Sequence, residues 1–394
     1  MRACLFVVMA LLFLADITLS VSSFEQIESY YQMKLPDDVQ GWHDKLTRSG
    51  LLAPKNGYLR LLGPGEIVEA KLGVMTPDLI PVMKDNFGNA IGWRECRQDV
   101  AGGGWYWYDH EENVLGSLGP TFRGMLRAAA LYIVGEASEA ILDGDALPVD
   151  PEEQLAVARA IFLLPGLFGQ PDQATRSLKI VERYDLAEHP YVLHEWMEVL
   201  GQDVAVPLFL ESKALEKWRR GRTQPAAEVW REALAVDRTS CLLHWHLGVA
   251  AAVANDSRAA IAHFARAFEG TWDNYYNIFS NFPCRECTDI DALASYLRSA
   301  PDEYARVSKF PELRQILLSG ETDNIESWRD TIAACLRSSN LEGARTLAIN
   351  GLCPSRWPGK QWRDKAYTDI CMATLVEVYR RRGLETRVAA LMIQ

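Results

Sequence analysis

Apolar and polar positions alternate in two different ways along this chain. From Ser23 to about Leu126 the pattern is mixed, and beyond Ala128 it is almost uniformly that of helices. In SFEQIESYY, Phe24, Ile27 and Tyr31 stand three and four apart, which predicts one buried face of a short helix. Leu35-Pro36-Asp37-Asp38 breaks that helix and offers an N-cap for a second, DVQGWHDKLTRSG, which Gly50 and Pro54 end. Five strand-like runs follow: GYLRLLG (57–63), EIVEA (66–70), LIPVMKD (79–85), AIGWREC (90–96) and GWYWYDHE (104–111). DNFGN, between the third and fourth, has the side-chain and glycine chemistry of a hairpin turn. Trp105 and Trp107 alternate with Tyr106 and Tyr108, as in a strand whose two faces meet different surroundings. Ala101 to Gly104 reads as a loop, and Pro120 with TFRGML opens a closing helix. The order helix, helix, meander, helix predicts a small α+β domain.

The later runs EEQLAVARAIFLLPG, EVWREALAV, AAIAHFARAF, SWRDTIAACLRS and AYTDICMATLVEVYRRR have helical spacing, divided by short loops rich in Pro, Gly, Asp and Asn. They predict stacked helical pairs. One internal period stands out. Ala226, Trp230 and Ala233 are followed 34 residues later by Ala260, Phe264 and Ala267, and Leu247-Gly248 precedes the second set. This is similar to the tetratricopeptide pattern, in which small residues let two helices approach and an aromatic fills the groove between hairpins. The first copy is degenerate, with Lys213-Ala214 in place of Leu-Gly.

The first domain resembles the SUKH superfamily of Smi/Knr-like domains. The residues that carry the likeness are IESYYQMKLPDD (Ile27 to Asp38), Trp42, the Pro81, Asp85 and Gly88 segment, the run Trp107-Tyr108-Asp109-His110-Glu111-Glu112, and Thr121, Phe122 and Leu126. They span roughly a quarter of the chain; the glycine loop at 102–104 and the long 51–57 connection depart from the pattern. The resemblance implies protein binding without catalysis. Bacterial members of this superfamily look like immunity proteins that block a toxin, often a nuclease or deaminase. Fungal and animal relatives act as adaptors.

The expected fold class is therefore an α+β N-terminal domain, with a SUKH-like antiparallel sheet and flanking helices, followed by an all-α helical-repeat region. The expected divisions are an apolar segment 1–22, the α+β domain 23–127, helices 128–206, tetratricopeptide-like repeats 207–275 and a helical region 276–394.

Composition narrows the function classes. The 394-residue chain is 48% hydrophobic and carries twelve Trp, so it can bury sizeable cores. A formal net charge of −11 argues against nucleic acid as a partner. It suits a basic partner such as a toxin domain, although many proteins are acidic for solubility alone. Eight scattered Cys form no disulfide framework and fit a reducing compartment. The apolar run Cys4 to Leu14 is too short to span a bilayer, which needs about 20 residues. It has the length of a signal-peptide core but lacks a clean cleavage site. The alternatives are a start at Met9 or a segment packed on the domain behind it. Cytoplasmic residence is the expectation, export the alternative.

The chemistry-bearing residues point away from an enzyme. Cys284 and Cys287 form a CxxC with no second pair, which we read as structural thiols rather than half a zinc site. His244, His246 and His263 read as packing or surface positions, and no cofactor or metal is expected. Gly102 to Gly104 lacks the residues of a phosphate loop, and neither a Gly-x-Ser-x-Gly nor a His-Glu-x-x-His motif occurs. Arg380, Arg381 and Arg382 suit a helix C-terminus. Asp109, Glu111 and Glu112 are consecutive enough to diverge, so they read as an acidic lip for a partner, with Trp105 and Tyr106 as candidate aromatic anchors. A non-enzymatic immunity or adaptor protein is the leading expectation. A structural scaffold built on the repeats is the alternative.

Overall fold

The structure, a computed structural model, describes residues 23–53, 57–69, 78–95, 103–110, 114–143, 150–168, 207–238, 240–270, 295–312, 325–352 and 365–392, with a few single positions between them. It has a five-stranded antiparallel sheet near the N-terminus and a mostly helical remainder.

Helix α1 (Phe24–Tyr31) starts where the Ser23 hydroxyl accepts the Gln26 amide, and it buries Phe24, Ile27 and Tyr31. Helix α2 (Val39–Ser49) ends at Gly50, whose φ of 68° lies in the left-handed region open to glycine. Asp38 occupies the N-cap position, but its side chain makes no capping bond. After strand β1 (Leu59–Leu61) comes helix α3 (Pro64–Glu69). Here the structure corrects the expectation of a strand at 66–70. Pro64 suits a helix start, and the Glu66 carboxylate reaches back to the Gly63 amide at 2.9 Å. Five strand-like residues were too few to distinguish the two forms.

Strands β2 (Leu79–Asp85), β3 (Ala90–Glu95), β4 (Gly103–Asp109) and β5 (Val114–Gly119) complete a meander in the order β1-β2-β3-β4-β5. Strand β5 was not among the expected runs; its glycines hide it, and pairing with β4 makes it. Pro81 lies inside the sheet at a register shift between Pro81 and Met83, a bulge that tolerates its missing donor.

The sheet has two buried faces. Trp93, Trp105, Ile80, Val82 and Ile91 belong to the main N-terminal core, while Leu79, Ala90, Tyr106, Tyr108 and Leu115 form a second cluster. Helix α4 (Phe122–Asp143) closes the main core, with the Phe122 ring edge-on to Trp105 at 5.0 Å. Helix α5 (Pro151–Phe162) packs on α4, and its buried Gln154 accepts the Tyr58 amide at 3.0 Å. Residue 127 thus falls inside a helix, and this core runs on to Leu167.

The helical region is built of hairpins: α6 (Pro207–Arg219) with α7 (Thr223–Val236), and α8 (Cys241–Val253) with α9 (Ser257–Glu269). Helix α10 (Pro301–Val307) packs on α9. Two more hairpins follow, α11 (Ile325–Arg337) with α12 (Leu341–Leu352), and α13 (Lys365–Arg381) with α14 (Glu385–Met392). Corresponding helices of the first two hairpins start 34 residues apart, 207 to 241 and 223 to 257.

All four hairpins turn in the same way. A left-handed residue stands at Gly221, Asn255, Ser339 and Gly383. The amide that follows it bonds five residues back, Arg222 to Lys217, Asp256 to Ala251, Asn340 to Cys335 and Leu384 to Tyr379, all at 2.8 to 2.9 Å. These satisfy helix-end carbonyls that would otherwise lack partners. Within the second hairpin the helices touch so closely that a Cβ on Gly248 would lie 2.5 Å from the Phe264 ring. The equivalent residues one period earlier are Ala214 and Trp230, both buried.

The two regions touch. Helix α6 packs on β5, and α14 packs on α1. No helix among the described residues is long and apolar enough to cross a membrane.

Candidate functional site

The β2–β3 turn is held by one carboxylate. Asp85 Oδ1 accepts the amides of Phe87 at 2.9 Å and Asn89 at 2.7 Å; Oδ2 accepts the Asn89 side-chain amide at 2.8 Å and the Tyr132 hydroxyl at 3.0 Å. Gly88 supplies the positive φ of 106° that the turn requires. Asn86 bonds to the carbonyls of Tyr58 at 3.2 Å and Gly57 at 2.9 Å. Asn89 Oδ1 in turn accepts the backbone amide of His110 at 3.1 Å and sits 3.0 Å from its Nδ1. The end of β4 is thereby tied to the turn. Hydrogen bonds to a charged acceptor contribute about 1.5–3 kcal/mol each, so the loop is fixed rather than merely connected. On this turn Phe87 is 50% exposed, an aromatic spent on the surface.

The expected anchors lie elsewhere. Trp105 is 0% and Tyr106 2% exposed, on opposite faces of β4, so both are core residues and neither is presented to a partner. Their alternation predicted two environments; it could not say that both are buried. Asp109 is the last residue of β4, and His110 beside it is exposed. Glu111 and Glu112 lie outside the described residues, as do Cys284 and Cys287. Phe87 went unnoticed in the sequence, although an apolar residue between Asn86 and Gly88 of a tight turn was the available signal.

A second polar constellation joins the two regions. Asp78, buried just before β2, accepts Arg345 Nε at 3.0 Å, Arg387 Nη1 at 2.5 Å and the Tyr379 hydroxyl at 3.1 Å. A further Arg345 nitrogen, Nη2, also bonds to Asp78 Oδ2. Arg387 donates onward to the Tyr31 carbonyl at 3.2 and 3.3 Å. Glu342 bridges Arg345 at 3.1 Å and Arg382 at 2.7 Å. Burial would raise the Asp78 pKa, but attraction to Arg345, Arg387 and Arg94 outweighs it and holds the carboxyl well below its usual range. Burial and the Asp78 charge push the Tyr379 hydroxyl up.

The histidines are internal. His244 and His263 face each other with Nδ1 atoms 3.0 Å apart. Burial, then repulsion from His263, lowers His244 to about 3, so the ring is neutral at physiological pH. Burial likewise lowers His263. His246 stacks on Trp230 at 4.7 Å and meets Glu211 at 3.1 Å. Among the described residues no group of three or more His, Cys, Asp or Glu could hold a metal ion. Arg380 and Arg381 pair with Glu377, and Arg382 with Glu342. Helix α8 buries Cys241 to Val249 on nearly all sides, Trp245 included.

Comparison of the chain with protein-family models, curated proteins and solved structures found no match.

Proposed function

We propose that the chain is a non-enzymatic protein-binding protein, of the immunity or adaptor kind, that docks its partner on the turn edge bearing Phe87. The observation that carries this reading is the exposure of Phe87 on a loop braced by Asp85, Asn86 and Asn89. A large aromatic on a pre-ordered loop loses little conformational freedom on binding, and such residues dominate interface energetics. The acidic stretch Asp109, Glu111 and Glu112 continues from the strand tied to this turn. Together with the net charge of −11 it favours a basic partner, such as a toxin domain. The Smi/Knr-like resemblance of the first domain and the tetratricopeptide-like period of the second support the same class. Cytoplasmic residence goes with this reading, and export remains its alternative if residues 1–20 act as a signal peptide.

The test is retention of a partner by the full chain, followed by neutralisation of that partner's activity. Phe87→Asp should abolish retention while the fold persists, and charge reversal at Asp109, Glu111 and Glu112 should weaken it in a salt-dependent way. Undiminished retention by Phe87→Asp would sink the proposed edge, and no neutralisation would sink the immunity role.

A scaffold role is the second reading. It is favoured by the packing of α6 on β5 and α14 on α1, which makes the α+β unit a cap on the helical array. Retention that survives Phe87→Asp but fails when helical surface residues are changed would select it.

A further inference from the structure

The pairing of Asp78 brings together residues 267 to 309 positions apart in the chain. One carboxylate sits between the guanidiniums of α12 and α14, Oδ2 accepting from Arg345 and the α13 hydroxyl of Tyr379, and Oδ1 from Arg387. A buried carboxylate or guanidinium is tolerated only while paired, since removing it from water costs several kcal/mol. These groups therefore stay buried together or not at all. The junction has two further bonds: Gln32 Nε2 donates to the Gly383 carbonyl at 3.1 Å, and Arg387 to the Tyr31 carbonyl. Tyr31 is itself anchored, its hydroxyl donating to Ile67 at 2.9 Å. Apart from that internal anchor, these contacts lie between the last hairpin or α12 and the N-terminal domain.

We propose that the hairpin α13–α14 is a clasp, which closes the helical array onto the α+β domain through Asp78 and opens as a unit with α1. The hairpin's left-handed turn at Gly383 is part of the contact, because its carbonyl is the one Gln32 holds. Release of Asp78 leaves Arg345 and Arg387 without their shared acceptor. The helices must then separate to let water reach them. None of the bonds described here involves the first two hairpins, α6 to α9, which pack within themselves.

Hydrogen–deuterium exchange on the full chain tests this, comparing the native protein with Asp78→Asn and Arg387→Lys. Asp78→Asn should speed exchange of residues 24–33 and 371–392 together, on the order of a hundredfold, the factor expected when a buried charge loses its partner. Residues 241–269 should keep native rates. Arg387→Lys keeps the cation but loses the fork to Tyr31, so it should shift the same two segments by a smaller factor. If Asp78→Asn fails to fold, Arg387→Lys decides by the same criterion. Acceleration of only one segment, equal acceleration of residues 241–269, or no acceleration overturns the clasp.

Discussion

The sheet domain and the helical array solve the same problem with different means. In the array, helices pack on their sequence neighbours, with small and aromatic residues in the first two hairpins, and four hairpins repeat one turn. Contacts are local, and stability is expected to accumulate hairpin by hairpin. In the sheet domain, order depends on single polar groups that tie turns to the elements packed on them, as Asp85 holds Phe87 and Asn89 of its own turn and Tyr132 of α4. The difference implies that damage should stay near its source in the array and spread through the whole unit in the sheet domain.

The largest effect should come from emptying each core. Trp105→Ala and Phe264→Ala should each cost about 3–5 kcal/mol. Denaturation followed by exchange should show the first loosening all five strands and the second loosening α8 and α9 before the other helices. A global loss in both would break the contrast. Next comes Gly248→Ala, whose added Cβ strikes the face of Phe264 and should cost about 1–3 kcal/mol by overpacking. The degenerate hairpin already carries Ala214 at the matching place, so Ala214→Gly should not mirror that loss; a chemical denaturation series compares the two.

A third contrast is in acid. His244 has its folded pKa depressed to about 3. The unfolded chain therefore binds a proton below about 6.5 that the folded chain refuses. Stability from this group is complete above about 6.5 and declines down to about 3, at up to about 1.4 kcal/mol per pH unit. Asp78, held low by its arginines, keeps its contribution until the pH falls below the ordinary carboxylate range. Melting temperatures from pH 7 to 5 should thus fall less for His244→Gln than for the native chain, while Asp78→Asn should leave that slope unchanged. The smallest effect is Phe87→Asp, a surface change expected to move stability by less than about 0.5 kcal/mol while abolishing partner retention. A calorimetric scan beside the binding assay separates the two.

Much of this was legible in the residues themselves. The switch from mixed to helical patterning, the spacing of Phe24, Ile27 and Tyr31, the DNFGN turn and the 34-residue recurrence of Ala, aromatic and Ala are all local or regularly periodic signals. Helix geometry and pleating write them into the chain at separations of two to four residues, and repetition copies them. The later hairpins escaped because they share the turn but not the aromatic. At Phe264's counterpart, aligned on the turn, α12 has Ala348.

Tertiary structure alone decided the rest. Whether Trp105 and Tyr106 face water or core depends on what covers each side of the sheet: Phe122 of α4 meets Trp105, and Tyr106 is buried in a second cluster on the other face. The 64–69 segment became a helix because Gly63, Pro64 and Glu66 cap it, against a strand-like pattern. Asp78 looks like any loop acid in the sequence; Arg345 and Arg387 make it the junction of the molecule. Charge pairing over hundreds of residues leaves no period in a chain, since only the fold sets which groups lose water together.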